Sequence, residues 1–195
     1  MLTTSSSHGL RQFSVYQGLW NCSQRDLERE ILPMAQAEGM AIAPWKALGG
    51  GLFKTEAQTK EAGGRGSQIY GAQGEKEKKV TAVLEGIAKK RNQDITGIAL
   101  AYVMNTNPDV FPIVGGRKVE HLKGNIAALK VKLTKEELHE IRQASAFDVG
   151  FPLSMLAPQL DTPADFNANS VFLTRSAQVL DIPERRAPAF PPDAS

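Results

Sequence analysis

FPIVGGRKVEHLKGNIAAL, residues 111–129, is the stretch on which the fold turns. Val110–Val114 is a short apolar run of strand type. Gly115 and Gly116 break it, Arg117 and Lys118 follow, and Val119–Leu129 resumes as an amphipathic helix with Leu122, Ile126 and Leu129 expected to face inward. Backbone N–H groups at a helix start carry partial positive charge, and glycines let an anion come close. A surface turn with solvated cations would give the same letters, so the rest of the chain has to decide between the two.

Upstream, Met40–Trp45 (MAIAPW) is a second apolar run, and it leads into Leu48, Gly49, Gly50 and Gly51. Arg11–Gln17 (RQFSVYQ) alternates, with Phe13, Val15 and Tyr16, as a first strand. Between these two runs, Ser23 and Asp26 have the spacing of a capping box, and Leu27, Ile31, Met34 and Ala35 recur at helical spacing. Pro33 has no N–H to give an interior turn, so it is expected to start a second helical piece that ends at Gly39. Lys78–Asn92 reads as a helix burying Val80, Val83, Leu84, Ile87 and Ala88. Asp94 is positioned to cap a largely buried helix, Ile95–Asn105, and Thr134 with Glu137 forms a capping box for a last helix to Ala144. Residues 52–75 have no period and read as a long mobile loop; GGRGSQ (63–68) lacks the Gly-Lys-Ser/Thr ending of a Walker-type phosphate loop.

Strands alternating with helices imply parallel βαβ units. Three parallel strands leave two open edges and need cover on both faces, so the pattern predicts a piece of a larger α/β sheet or barrel. Glycine-bearing loops follow the second and third runs on the same end of one sheet. That placement suits a shared phosphate site as well as it suits two unrelated turns.

The 195 residues are 42% hydrophobic and 23% charged, enough for one domain with its own core. A net charge of +2 gives no bulk electrostatic case for nucleic acid or a membrane surface, so any anion binding is local. The single cysteine, Cys22, cannot form an internal disulfide and suits a reducing compartment. The start, MLTTSSSHGL, lacks the basic and apolar regions of a secretory signal, and no apolar run approaches the roughly 20 residues that span a bilayer. A cytoplasmic protein is expected. After Phe151 the pattern fades, and six of the eleven prolines lie between Pro158 and Pro192. Residues 1–156 therefore read as the structured part and 157–195 as an irregular Pro-rich tail, with one helical turn near Ser170–Val179.

FSVYQGLWN (13–21), APWKALGGG (43–51), FPIVGGRKVEHLKGN (111–125) and FDVGFP (147–152) resemble, in order and spacing, the C-terminal part of aldo-keto reductases, nearest the fungal aryl-alcohol dehydrogenase and norsolorinic-acid-reductase-like branch. The resemblance implies strands six to eight, with their helices, of a TIM (β/α)8 barrel truncated at its N-terminus. It implies NADP(H) as cofactor. Gln17 falls where the family bonds the nicotinamide carboxamide, and Trp20 where an aromatic ring stacks on nicotinamide. Trp45, Lys46, Ala47 and Leu48 fall on the family's aromatic-Ser-Pro-Leu turn around the pyrophosphate, with Lys46 and Ala47 departing from Ser and Pro; Gly49, Gly50 and Gly51 match the glycines that follow. Gly115, Gly116, Arg117, Lys118, His121 and Asn125 match the segment that grips the 2′-phosphate and adenine.

The Asp, Tyr, Lys and His that the family uses for proton transfer come from the first half of its barrel, and none of their motifs is in this sequence. His8, Tyr16 and Tyr70 lack the matching context, and His139 lies on the last helix. The resemblance therefore supplies no catalytic residue and no metal ligand. It implies an NADPH-dependent oxidoreductase of aromatic aldehydes and ketones, or of the matching alcohols, of the kind found in fungal secondary metabolism. The other reading is a catalytically inactive, truncated remnant that keeps part of the cofactor site. The implied partners are a small carbonyl or alcohol substrate and either a complementing barrel half or a second copy; neither nucleic acid nor membrane is expected.

Overall fold

The computed structural model describes residues 7–54, 73–145, 147–151 and 154. Strands β1 (Val15–Leu19) and β2 (Ala41–Trp45) pair in parallel, with Val15 opposite Ala41 and Leu19 opposite Trp45. A 3-10 turn over Asp26–Glu28 and helix α1 (Ile31–Ala37) connect them, completing one βαβ unit. The chain breaks before Ile31, two residues ahead of the expected point. Pro33 is the third residue of α1, within the first turn, where an N–H has no intrahelical partner to lose. Ser23 caps nothing: its N–H and hydroxyl both donate to Asn21 Oδ1, and the 3-10 turn has no side-chain cap.

The third run lies beside β2 as expected, but it pairs only in part. Ile42 N donates to Asp109 O at 2.9 Å, Phe111 N donates to Ile42 O at 2.8 Å, and Ile113 N donates to Pro44 O at 2.8 Å. Only Ile42 and Val110 make a complete bridge. The reason is Pro44, which has no N–H to return to the Phe111 carbonyl, so the ladder loses a rung in its middle.

Among the described residues four helices follow: α2 (Glu75–Arg91), α3 (Ile95–Thr106), α4 (Val119–Ala128) and α5 (Lys135–Ala144). Helix α2 starts three residues before the expected Lys78, because the Glu77 carboxylate accepts from Gly74 N at 3.1 Å and secures the extra turn. Asp94 holds the N-cap position of α3 without a side-chain bond, so its carboxylate does not cap. The Thr134 box forms as read: Glu137 N donates to Thr134 Oγ1 at 3.2 Å, and Thr134 N donates to Glu137 Oε2 at 2.8 Å.

The core lies on one side of the sheet and gathers Ile42, Leu84, Ile87, Ile98, Tyr102 and Ile141. Along each strand, alternate residues turn the other way. Val15, Gln17, Trp45, Phe111 and Ile113 are exposed on that second face. Helix α4 corrects the sequence reading. Leu122 and Ile126 are each 56% exposed and Leu129 is 47% exposed, instead of facing inward. Where α4 meets α3, Ala128 Cβ lies beside Gly97 and Gly124 lies beside Asp94 at the α3 N-cap, while the large apolar stripe points away. The tail from 157 and most of the glycine loop, including Tyr70, lie outside the described residues, as does the 156/157 boundary.

Candidate functional site

Parallel strands bring three loops to one end of the sheet. The loop after β1 begins at Trp20, the turn after β2 runs from Trp45 to Gly51, and the third run leads through Gly115–Lys118 into α4. Every sequence-predicted site residue except Gln17, which lies within β1, and Asn125, which lies within α4, sits in or beside one of these loops.

Trp20 and Trp45 have opposite surroundings. Trp20 is 0% exposed; its indole N–H donates to Glu28 Oε1 at 3.0 Å, and its ring lies 6.4 Å from Tyr102 at 57°. A ring so enclosed has no open face for a flat ligand, which corrects the stacking role expected of Trp20. Trp45 is 41% exposed and shares the outward sheet face with Gln17. Lys46, which follows it, is held in the left-handed region at φ 59°, unusual for a residue with a side chain. Gly49, Gly50 and Gly51 follow at φ 68°, 65° and 85°. Gly49 is doubly constrained, since a Cβ there would also lie 2.8 Å from the Phe53 ring. Leu48 is half-buried against the core.

At the third loop Gly115, Gly116, Arg117, Lys118 and His121 are exposed and Asn125 is half-buried. A Cβ on Gly115 would meet nothing within 4 Å, so the approach is open. A Cβ on Gly116 would lie 2.8 Å from His121 Cβ, so only glycine fits beneath the imidazole. Arg117 N donates to His121 Nδ1 at 3.3 Å, which makes Nδ1 an acceptor and leaves the ring proton on Nε2. Two cations, an open glycine and the N-terminus of a ten-residue helix form a donor set suited to a phosphate.

Sequence reasoning missed the group that fixes the loop after β1. Glu28 is buried and accepts from Trp20 Nε1, from Tyr102 Oη at 2.8 Å, and from Arg25 Nε and Nη2 at 3.1 and 2.8 Å. Arg25, also buried, donates through Nη1 to the carbonyls of Arg142 and Ser145. Phe147 lies under two guanidiniums, Arg25 at 5.0 Å and Arg29 at 5.2 Å. The available sequence signal was an Arg and a Glu three residues apart beside a tryptophan. Burial, then the Glu28 charge, push the Tyr102 hydroxyl well above the usual phenol range, and the same two causes raise the Cys22 thiol. Both groups are unsuited to proton transfer near neutrality. Tyr16 is half-buried on the helix-facing side, its ring beside Gly18 and turned away from Gln17. His8 and His139 are exposed and far along the chain from the three loops. Among the described residues no His, Cys, Asp or Glu group is arranged to hold a metal, and no helix is long and apolar enough to cross a membrane.

Residues 2–146 match the family model described as Aldo/keto reductase family. The chain is 47% identical over 173 residues to norsolorinic acid reductase B of Dothistroma septosporum, covering 86% of this chain and 44% of that protein. It is 46% identical over 162 residues to an aryl-alcohol dehydrogenase of Pestalotiopsis microspora, covering 82% of this chain and 42% of that one. It thus spans about half the length of the curated relatives it matches. A crystal structure of a thermostable aldo-keto reductase in complex with the inhibitor epalrestat superposes with a TM-score of 0.52 at 23% identity, over 73% of this chain and 44% of that one.

Proposed function

From the premise that the chain belongs to the aldo/keto reductase family, we propose that it forms the NADP(H)-gripping side of an oxidoreductase of aromatic aldehydes and ketones, or of the matching alcohols. The observation that carries this reading is the convergence of two glycine-bearing loops, one holding Trp45 and Lys46 and the other Gly115–Lys118, at one end of a parallel sheet. NADP(H), when bound, supplies the hydride. The chain's own residues bind and orient. Arg117 and Lys118 meet the 2′-phosphate, with Gly115 open beneath it. Gln17 bonds the carboxamide. Trp45, exposed on the same face as Gln17, takes the stacking place first given to Trp20. The small carbonyl or alcohol substrate is supported by the names of the relatives; a cytoplasmic setting and a role in fungal secondary metabolism belong to the same reading.

The second reading, a cofactor binder without chemistry, is favoured by the tyrosines. Tyr102 is buried on Glu28 and Tyr16 faces the helices, so neither described phenol reaches the face that carries Gln17 and Trp45. Hydride delivery to a carbonyl needs a positioned acid. On this basis the isolated chain binds nucleotide but does not turn over, and a complementing barrel half supplies the acid. Replacing Arg117 and Lys118 together by Ala weakens NADPH binding by about 1.5–3 kcal/mol per lost charged hydrogen bond and changes NADH binding little. Fluorescence titration with both cofactors checks this, and equal losses reject the phosphate assignment. Steady NADPH oxidation by the chain alone with aromatic aldehydes rejects the need for a partner.

A further inference from the structure

Lys46 holds a backbone conformation that residues with a side chain avoid, so something outside the turn has to keep it there. The carbonyl of Lys46 accepts from Gly49 N at 2.8 Å, which closes the turn on itself, and from Asn21 Nδ2 at 3.1 Å, which ties it to the neighbouring loop. Asn21 is 0% exposed and every polar atom of its side chain is used. Oδ1 accepts from Ser23 N at 2.9 Å, Ser23 Oγ at 3.0 Å and Gln24 N at 3.0 Å, while Nδ2 donates to Lys46 O and, at 3.3 Å, to Gln24 Oε1. The amide can sit only one way round. Flipped, its NH2 would meet two N–H groups and its oxygen two carbonyl-type oxygens. The backbone adds Trp20 N to Trp45 O at 3.4 Å, so the loop after β1 grips the carbonyls of both Trp45 and Lys46.

We propose that Asn21 is a positioning residue for the Trp45–Lys46 turn: one half of its carboxamide is anchored in its own loop, and the other half holds the Lys46 carbonyl in the left-handed turn that borders the outward-facing Trp45 indole. The consequence for ligand binding rests on the cofactor reading above; the effect on Trp45 does not. Aspartate at 21 keeps the acceptor side and places a second oxygen against Lys46 O and Gln24 Oε1, so it cuts the strap selectively. Glycine at 46 adopts the left-handed turn without support and makes the strap dispensable.

The chain is labelled with 5-fluorotryptophan, and its two 19F lines are assigned with Trp45→Phe. In Asn21→Asp without nucleotide, the Trp45 line should broaden or split while the Trp20 line, fixed by Glu28, stays single. NADPH affinity should fall about tenfold, and Asn21→Asp/Lys46→Gly should bind within twofold of Lys46→Gly alone, a recovery that a purely structural role would not give. An unchanged Trp45 line in folded Asn21→Asp, or a double variant as impaired as Asn21→Asp, overturns the proposal. If Asn21→Asp does not fold, Asn21→Gln, neutral and with the same groups one methylene further out, is judged by the same two lines. If the unsubstituted chain fails to bind NADPH, the cofactor reading falls, and the 19F lines still decide the role of Asn21.

Discussion

Four hydrogen bonds converge on the two carboxylate oxygens of Glu28, and two of them come from the guanidinium of Arg25, with which it is almost wholly buried. Removing one member of such a group leaves the other charge in the interior without compensation. Glu28→Ala is therefore expected to destabilise the chain by about 3–5 kcal/mol, read as a shift in the urea midpoint with the slope unchanged. A loss below about 1 kcal/mol would mean that water reaches the pair. None of this was readable from the sequence. Glu28 and Arg25 look like an ordinary helical surface pair at i, i+3, and only the approach of Tyr102 and of the α5 carbonyls makes them interior. The glycine break ahead of α4 was legible because the constraint there is local: Gly116 lies under His121, five residues on.

Elements were legible where local chemistry settles them. Strand β2 matches its apolar run to within one residue, and α3, apolar on nearly every side, is buried as its composition demands. Thr134 and Glu137 satisfy one another's N–H groups, and Glu137 also receives a two-pronged bond from Arg91 of α2, both prongs 2.7 Å. Thr134→Ala should cost about 1 kcal/mol, and circular dichroism during thermal unfolding should show it; no change in midpoint would mean that the Arg91 fork alone holds the start of α5. Where legibility failed, the missing information was spatial. The Ser23 spacing fits a capping box, but Asn21 claims its hydroxyl first. The stripe on α4 says which residues want a partner and says nothing of where that partner is. Pro44 was visible in the sequence, yet its effect depends on which neighbour its nitrogen faces.

At the scale of the whole molecule, the described residues cover one side of the sheet and leave apolar groups exposed on the other, among them Val15, Phe111 and Ile113, while α4 adds Val119, Leu122 and Ile126. Surfaces of this kind associate. Leu122→Glu with Ile126→Glu should lower self-association in sedimentation velocity while changing stability by no more than about 0.5 kcal/mol, since both side chains are already more than half exposed. A large loss of stability would show that the stripe is covered in solution. Arg25 reaches across the molecule in another sense, because its two carbonyl partners lie 117 and 120 residues downstream. Contacts so distant along the chain close late, after the loop entropy between them has been overcome. Until they close, the Arg25 guanidinium lacks the two carbonyl partners that it has in the folded chain. Arg25 therefore acts as a clock. While residues 142–145 are still inside a ribosome, the pocket around Trp20 cannot seal, and the βαβ unit of β1, α1 and β2 remains provisional although it emerges before them. In refolding from urea, the emission of Trp20, isolated by Trp45→Phe, should settle in the slowest phase; settling in the fastest would show that the pocket seals without waiting for α5.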